Sequence, residues 1–501
     1  MKKFLILFLA LFLCTPAMAE NWTDNLEMGG DVRMMYYSLN NFFDYNSGSD
    51  IDDWEVFRLR TRLKTKITLS DDVSGFVQIA NQTYGENIGE PETNQKNKDL
   101  NFLGFNFDNY EADNKSDKVF VDNAYITAKN MFNTGITLQT GRMNLMYGSG
   151  FVLFDGQSQA ASTSLYFDGI KLSAPFGEKT NLDLLYFIDQ ENARWNVKED
   201  DVSVMGAYLT AHCPFLGGQQ EFYVLNKNDE NLGAATPHTE VTNEFENTDG
   251  ELIDLVVEEP YLEYNPFEKD IWMIGLRFSD KMKNGLDYSL EGAYQFGDFN
   301  KEADIEQDAF GGKFDGGFTF KDAPMAPRLF VGYAYMQGDD PDTTDKKERW
   351  DHFYGGWPQF GDILAWKYVS SGYNRSLKNY DPSWSEQSST PEEAVYSNLE
   401  IPSAGIGFSI LENLSAKFTY SMLTFEEPTL DANGNKKDDD FGDMYQLEAS
   451  YGYSKNLSFA IYAALIEPGD AFKVSMNNPY NWMNVDDDNA YELFFETNLK
   501  F

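Results

Sequence analysis

Hydrophobic and polar residues alternate with a period of two along many short stretches of the chain. Within 286–296, Leu, Tyr or Phe residues and one Gly recur at every second position, between mostly polar residues. The same rhythm occurs in 182–189, 271–279, 310–320, 328–336, 414–422, 445–454, 457–466 and 491–501. Successive side chains of a β-strand point to opposite faces of the sheet. The pattern therefore predicts strands with one apolar face and one polar face.

These stretches have the length and the aromatic content of strands that cross an outer membrane. Such strands have about ten alternating residues, with Tyr and Phe where they meet the membrane surface. Short turns are predicted at 70–72, 130–134, 175–179, 214–218, 280–285, 321–327, 411–413 and 454–456, and longer acidic stretches lie between them. Counting strands on this basis gives about 18, an even number as the class requires.

The predicted fold is therefore all-β, a transmembrane antiparallel up-and-down β-barrel with long extracellular loops. We expect Asn97, Glu246, Trp357 and Asp439 to lie in those loops. No linker or break in composition divides the chain, so one barrel is expected over 20–501. A barrel of this size leaves an aqueous channel.

The net charge limits the possible partners. The chain has 81 Asp and Glu against 39 Lys and Arg, a formal charge of -42. Nucleic acid is excluded as a partner because phosphate binding needs a basic surface. The acidic residues concentrate in 50–55, 85–118, 226–270, 338–345, 426–443 and 486–488, which is typical of solvated loops.

The first 19 residues have the features of a secretory signal peptide. Lys2 and Lys3 precede an apolar run over 4–13, and Ala17 and Ala19 supply small residues before a cleavage site. The mature chain is then expected to begin at Glu20. A signal peptide followed by barrel strands predicts the outer membrane of a Gram-negative bacterium. Outer-membrane lipid, lipopolysaccharide and the barrel assembly machinery are the expected partners, and a monomer is expected.

The last alternating stretch ends on Phe501. It resembles the sorting signal that the assembly machinery reads. Phe495, Leu499 and Phe501 are predicted to face lipid, so removing Phe501 or introducing Asp at the other two should block insertion.

Every second residue from 58 to 66 is basic: Arg58, Arg60, Arg62, Lys64 and Lys66. The other face of this strand is apolar or Thr. Because Arg or Lys facing lipid at mid-depth costs about 2–4 kcal/mol, the basic face is predicted to point into the lumen. Such ladders are a means of making pores prefer anions.

Two interpretations of this ladder remain open. Other cations predicted on inward faces are Arg33, Lys129, Lys171, Arg277, Lys313, Arg328 and Lys417. They could select anions, or they could only neutralise lumen acids, for which Asp31, Asp183, Asp287, Glu291, Asp315 and Glu448 are candidates. On the strands beside the ladder, Glu27 and Asp31 are the only inward acids expected, so some of its cations are predicted to lack a partner.

Several segments resemble the alginate-export family of outer-membrane porins. They are 122–125, 138–142, 147–150, 166–171 and 332–340, and 122–172 is the most specific part. The resemblance implies a single-chain barrel of 18 strands and does not fix the transported solute. It also marks Arg142 as a pore residue. Strand parity aims Arg142 at lipid, so a bulge near the strand end is expected to return it to the lumen.

The leading functional hypothesis is a porin for passive diffusion of small, anionic solutes. The alternatives are an exporter of an acidic polysaccharide such as alginate, and a structural or adhesive barrel that acts through its acidic loops. No catalytic motif occurs and the three histidines are scattered, so neither an enzyme nor a cofactor is expected. The segment 431–440 has some of the spacing of a Ca²⁺ loop, but it lacks the closing Glu, so no metal site is predicted.

Overall fold

The computed structural model describes residues 25–41, 45–48, 53–84, 119–155, 166–190, 202–213, 217–231, 235–239, 243–246, 252–255, 260–264, 267–340, 342–355, 361, 363–364, 397–428, 438–473 and 487–501. The predicted signal peptide, the loop positions Asn97 and Trp357 and most of the 431–440 segment lie outside these residues.

The described chain is almost entirely β-strand. In chain order the strands are β1 (Leu26–Asn40), β2 (Trp54–Thr68), β3 (Val73–Tyr84), β4 (Val119–Met131), β5 (Ile136–Asn144), β6 (Tyr166–Pro175), β7 (Asn181–Gln190), β8 (Val202–Ala211), β9 (Gln219–Asn231), β10 (Ala235–Thr239), β11 (Asn243–Glu246), β12 (Leu252–Leu255), β13 (Pro260–Tyr264), β14 (Phe267–Lys281), β15 (Leu286–Asn300), β16 (Ile305–Thr319), β17 (Arg328–Met336), β18 (Lys346–Lys347), β19 (Leu399–Leu411), β20 (Leu414–Thr424), β21 (Asp440–Gly452), β22 (Leu457–Pro468) and β23 (Ala490–Lys500). One short helix, α1 (Asp470–Lys473), follows β22.

All strands except β10–β13 and β18 form a closed antiparallel barrel of 18 strands, as the sequence predicts. Each barrel strand pairs with the next one along the chain, and β1 also pairs with β23, which closes the sheet. Closure satisfies every strand edge, which a sheet within lipid requires. No helix in the described ranges is long and apolar enough to cross a membrane.

The connections differ at the two ends of the barrel. The short turns that the sequence predicts all lie at one end, which is the periplasmic end in this class. The other end carries the long connections, with one exception: β15 and β16 are joined by the short turn 301–304. The acidic stretch 226–270, which was expected to be a loop, contains two small hairpins, β10 with β13 and β11 with β12.

The outer face of the barrel is mostly apolar. Phe57, Leu59 and Leu63 on β2 and Leu290 and Tyr294 on β15 are all more than 40% exposed. Side chains at the intervening positions point inward. An apolar outer band with aromatic residues is the surface that a barrel presents to lipid. The protein is therefore an outer-membrane barrel, as the sequence predicts.

Candidate pore and its lumen

The basic face of β2 points into the lumen, as its alternation predicts. Arg58 and Arg60 are 1% and 2% exposed, whereas Leu59 between them is 41% exposed on the outer face. The register of β2 with β1 places Arg60 opposite Arg33 and Arg62 opposite Asp31. These strands therefore concentrate guanidinium groups on one side of the channel, and we refer to the inner face of β1, β2 and β23 as the basic wall.

Carboxylates of β1 and β23 bind several cations of the basic wall. Asp31 accepts hydrogen bonds from Arg62 Nε at 2.7 Å and from Arg60 Nη2 at 3.2 Å. Glu27 accepts one from Lys66 Nζ at 2.9 Å, as expected from the sequence. Arg33 Nη1 lies 3.6 Å from Glu496 of β23. Glu496 was missed in the sequence because β1 and β23 are distant in the chain and only barrel closure makes them neighbours.

A bulge in β4 brings a further acid towards this wall. The register of β3 with β4 passes from Gln78 opposite Asn123 to Ile79 opposite Val121, so Asp122 is the extra residue. Asp122 is 1% exposed and accepts a hydrogen bond from Gln78 Nε2. A bulge shifts the side-chain parity of a strand, so alternation alone did not identify this acid.

Most other predicted lumen cations pair with acids. Arg277 Nη1 lies 2.8 Å from Glu221 and its Nε lies 3.7 Å from Glu291. Arg328 Nε donates to Asp287 at 2.9 Å. Lys313 lies 3.4 Å from Asp315, and Lys417 lies 2.7 Å from Glu448. Ion pairs between lumen cations and lumen acids, which the second interpretation predicts, therefore occur in this part of the barrel.

The remaining predicted lumen cations are Lys171 of β6 and Lys129 of β4. Lys171 lies opposite Gln139 and Leu185, and Leu185 is only 5% exposed, so Lys171 belongs to the inner face. Lys129 is exposed near the periplasmic turn that follows β4. Both positions agree with the predicted inward parity.

Arg142 does not line the pore. The register of β4 with β5 is unbroken from Leu138 to Arg142, so the expected bulge does not occur there. Arg142 shares its face with Thr140, which lies opposite Ile126, and Ile126 is 58% exposed on the outer surface. Asp168 receives two hydrogen bonds from Arg142, at 2.8 and 2.7 Å, which compensates the charge on the outer face.

Two connections fold into the lumen. We call residues 145–154 the first inserted segment and residues 349–355 the second. Val152 accepts a backbone hydrogen bond from Tyr354, and Tyr354 accepts one from Phe154. The rings of Phe151 and Trp350 stack at 5.4 Å. Both segments belong to one buried apolar cluster with inward side chains of β1, β7, β9, β14, β17, β19, β21 and β22.

The first inserted segment carries the residues Tyr147-Gly148-Ser149-Gly150 that the sequence singles out. Tyr147 Oη donates to Asp183 at 2.7 Å, and Ser149 Oγ donates to Glu291 at 2.8 Å. Gly148 has a φ of +58°, and a Cβ there would lie 3.1 Å from Arg277 and 3.2 Å from Glu221. Glycine suits both this backbone conformation and the close approach to charged side chains of the wall.

The second inserted segment is held by Lys227 of β9. Lys227 Nζ lies 3.2 Å from Asp351 Oδ2 and 5.5 Å from the centre of the Phe353 ring. Gln295 Oε1 accepts a hydrogen bond from the backbone of Asp351 at 2.9 Å. Burial by itself raises the pKa of Asp351, but Lys227, His352 and Lys269 lower it to about 2. The Asp351 carboxylate is therefore ionised, and it binds the second inserted segment to Lys227 of the barrel wall.

These features agree with a comparison against known families. Residues 24–370, more than half of the chain, match the family described as "Alginate export". The chain belongs to the alginate-export family. A search of curated protein sequences finds no relative of this family member.

Solved structures show the same barrel fold. OccAB3 and OccAB4 of Acinetobacter baumannii are each 12% identical to this alginate-export family member, with a TM-score of 0.51. Each match covers 95% of this chain, and it covers 99% of OccAB3 and 98% of OccAB4. A BenF-like porin from Pseudomonas fluorescens Pf-5 is 11% identical, with a TM-score of 0.50, over 97% of this chain and all of that one. The family and the fold together support a channel role in the outer membrane.

Proposed function

We propose that this protein is a non-enzymatic channel through which small hydrophilic solutes diffuse across the outer membrane, with a preference for anions. The observation that carries the proposal is the basic wall. On it Arg33, Arg58 and Arg60 are almost completely buried within the barrel. Lys64 and Lys66 continue the same inner face towards the periplasmic end.

Ion pairing reduces the charge of this wall without cancelling it. Among the described inward residues of β1, β2 and β23, the cations are Arg33, Arg58, Arg60, Arg62, Lys64, Lys66 and Lys500, and the acids are Glu27, Asp31, Glu492 and Glu496. Asp122 of β4 adds a fifth acid beside the wall. Asp31 is shared by two guanidinium groups. A surplus of cations in a channel with low-dielectric walls focuses the field and raises the local concentration of anions.

Reversal potentials under a salt gradient in planar bilayers test this preference. Replacing Arg58, Arg60 and Arg62 together by Gln should lower the ratio of anion to cation permeability several-fold. Asp31→Asn removes the shared acid and should change the ratio in the opposite direction. The matched control is Arg142→Gln with Asp168→Asn, which removes a complete ion pair from the outer face and should leave the ratio unchanged.

The two lumen variants together separate selectivity from structural damage. Damage alone does not produce shifts of opposite sign in two variants that both fold. If both variants insert and keep the wild-type ratio, the basic wall is only structural and the anion preference is refuted.

Export of an acidic polysaccharide is the second candidate, and the family match together with the cationic lumen favours it. The inserted segments oppose it because they occupy part of the lumen. Liposome swelling with neutral solutes of increasing size distinguishes the two. A cut-off at small sugars supports the diffusion channel, whereas passage of oligosaccharides supports the exporter.

A further inference from the structure

A cavity of about 360 Å³ lies in the lumen on the side of β16, β17, β19, β20 and β21. Met146, Ser149 and Phe154 of the first inserted segment border it, together with Gly361. Its volume corresponds to roughly a dozen water molecules and lies in the range of small-molecule binding sites. The cavity therefore lies between the barrel wall and a segment that folds into the channel, and it is open on one side.

The charged groups of this cavity are balanced. Lys313 pairs with Asp315 of the same strand at 3.4 Å, and Lys417 of β20 pairs with Glu448 of β21 at 2.7 Å. Two ammonium groups therefore face two carboxylates within the lining. The basic wall belongs to other strands, so the charge surplus described above does not extend to this lining.

The remaining polar groups of the lining are neutral. Ser403, Thr419 and Ser421 contribute hydroxyl groups, and Gln446 contributes an amide. Thr419, Ser421 and Gln446 are each less than 10% exposed. A hydroxyl both donates and accepts hydrogen bonds, and buried polar groups require partners. Phe154 and Phe330 add apolar surface beside them.

We propose that this cavity binds a small, uncharged polyhydroxylated solute of the monosaccharide class on its passage through the channel. Sugar hydroxyls supply donors and acceptors in the same mixture as the lining, and the C–H face of a sugar ring packs against aromatic side chains. Because the lining carries two ammonium groups paired with two carboxylates, it offers no surplus charge to neutralise a charged solute, and an apolar solute would leave the hydroxyls without partners. The proposal rests on the channel function proposed above.

The test measures binding and conduction separately. Glucose and its anionic analogue gluconate are titrated into the folded barrel in detergent by calorimetry, and into planar bilayers while the ion current is recorded. Glucose should bind, should interrupt the current in a concentration-dependent manner, and should bind more tightly than gluconate.

Matched variants locate the site. Ser403→Ala with Ser421→Ala should weaken glucose binding roughly tenfold, because each hydrogen bond contributes a few-fold to affinity. The control is Ser415→Ala with Ser450→Ala. These two hydroxyls lie 2.8 Å apart on β20 and β21, outside the cavity lining. The control variant should bind glucose like the wild type.

The outcomes distinguish this proposal from the channel function. A barrel that conducts ions but neither binds glucose nor is blocked by it refutes the sugar site and leaves the channel standing. Tighter binding of gluconate, or equal weakening in both double variants, also refutes the site. A barrel that binds glucose at this site but carries no ion current supports the cavity and contradicts the channel.

Discussion

His352 lies beside Asp351 in the second inserted segment, and the residue is partly buried. Burial lowers the pKa of His352 to about 4, against the opposing effect of the Asp351 carboxylate. Lys227 of β9 also lowers it, and Lys269 of β14 is a further charge acting on Asp351. The inserted segment therefore contains a neutral imidazole next to an ionised carboxylate.

Acidification should loosen this segment. Because the pKa of His352 is lower when the segment is docked, docking weakens as the pH falls from about 6.5 to about 4. The pKa of Asp351 is also lowered, so its contribution is lost between about 3.8 and about 2. We expect the bilayer conductance to rise as the pH falls through the first window. His352→Gln, which stays neutral, should show no rise above pH 4, and an identical profile in both proteins would contradict this explanation.

Individual residues of the lumen were predictable where they follow the alternation of a strand. Arg60 and Arg328 point inward because the adjacent residues Leu59 and Leu329 are apolar and face lipid. Asp122 was missed because a bulge breaks the parity of β4, and Glu496 was missed because its partner Arg33 lies at the other end of the chain. Arg142 was assigned to the pore through a bulge that the structure lacks.

Strand β23 shows how lipid and lumen faces alternate within one element. Leu493 and Leu499 are 48% and 42% exposed on the outer face. Phe495 shares this face, whereas Asn498 points inward, opposite Arg33 of β1. A charge introduced on the outer face of β23 would enter lipid, whereas a charge introduced at Asn498 on the inner face would lie beside the guanidinium group of Arg33.

The effect of a substitution in β23 on barrel assembly should therefore depend on the face that carries it, and not only on the residue introduced. Phe495→Asp with Leu499→Asp should reduce the amount of heat-modifiable barrel in the outer membrane about tenfold, because a charge on the lipid face is costly. Asn498→Asp, which adds a carboxylate near Arg33, should leave that amount unchanged. Equal losses in both variants would contradict the assignment of the two faces.

The inserted segments should control the conductance of the channel. Phe151 and Trp350 are 1% and 2% exposed and stack on each other. Truncating large buried aromatic side chains to Ala costs about 3–5 kcal/mol each, so Phe151→Ala with Trp350→Ala should release the segments and increase single-channel conductance severalfold. Phe318→Ala, on the outer face, should not change it. Unchanged conductance in the double variant would show that these rings do not limit the pore.

The elements themselves differ in how far the sequence predicted them. β17 has the predicted bounds, because a polar–apolar alternation and flanking turns define both of its ends. β14 and β16 extend beyond the predicted stretches at their extracellular ends, where pairing continues past the apolar band. The inserted segments were not predicted, since their docking depends on side chains from many strands and leaves no periodic pattern in 145–154 or 349–355.

At the scale of the whole molecule, the alternation of short and long connections fixes the expected orientation in the membrane. A tag inserted at Asp439 should be accessible on intact cells, and a tag in the turn that contains Asp71 should be accessible only after the outer membrane is opened. The two tags serve as controls for each other, because both sites are exposed in the barrel. The reverse accessibility would invert the topology.

The pairing of β1 with β23 joins strands that lie more than 400 residues apart, as the partners Asp31 and Lys500 illustrate. The remaining barrel pairs are neighbours along the chain, so this seam is by far the most non-local contact of the fold. Non-local contacts form late, because closing the long loop between two distant strands costs conformational entropy before the contacts can compensate for it. A half-assembled barrel is therefore an open sheet with two unpaired edges, and the Arg33–Glu496 pair forms only when those edges meet. The opposite charges of Arg33 and Glu496 thus favour pairing of β1 with β23. They act at the closing step, when another strand could still pair with an open edge.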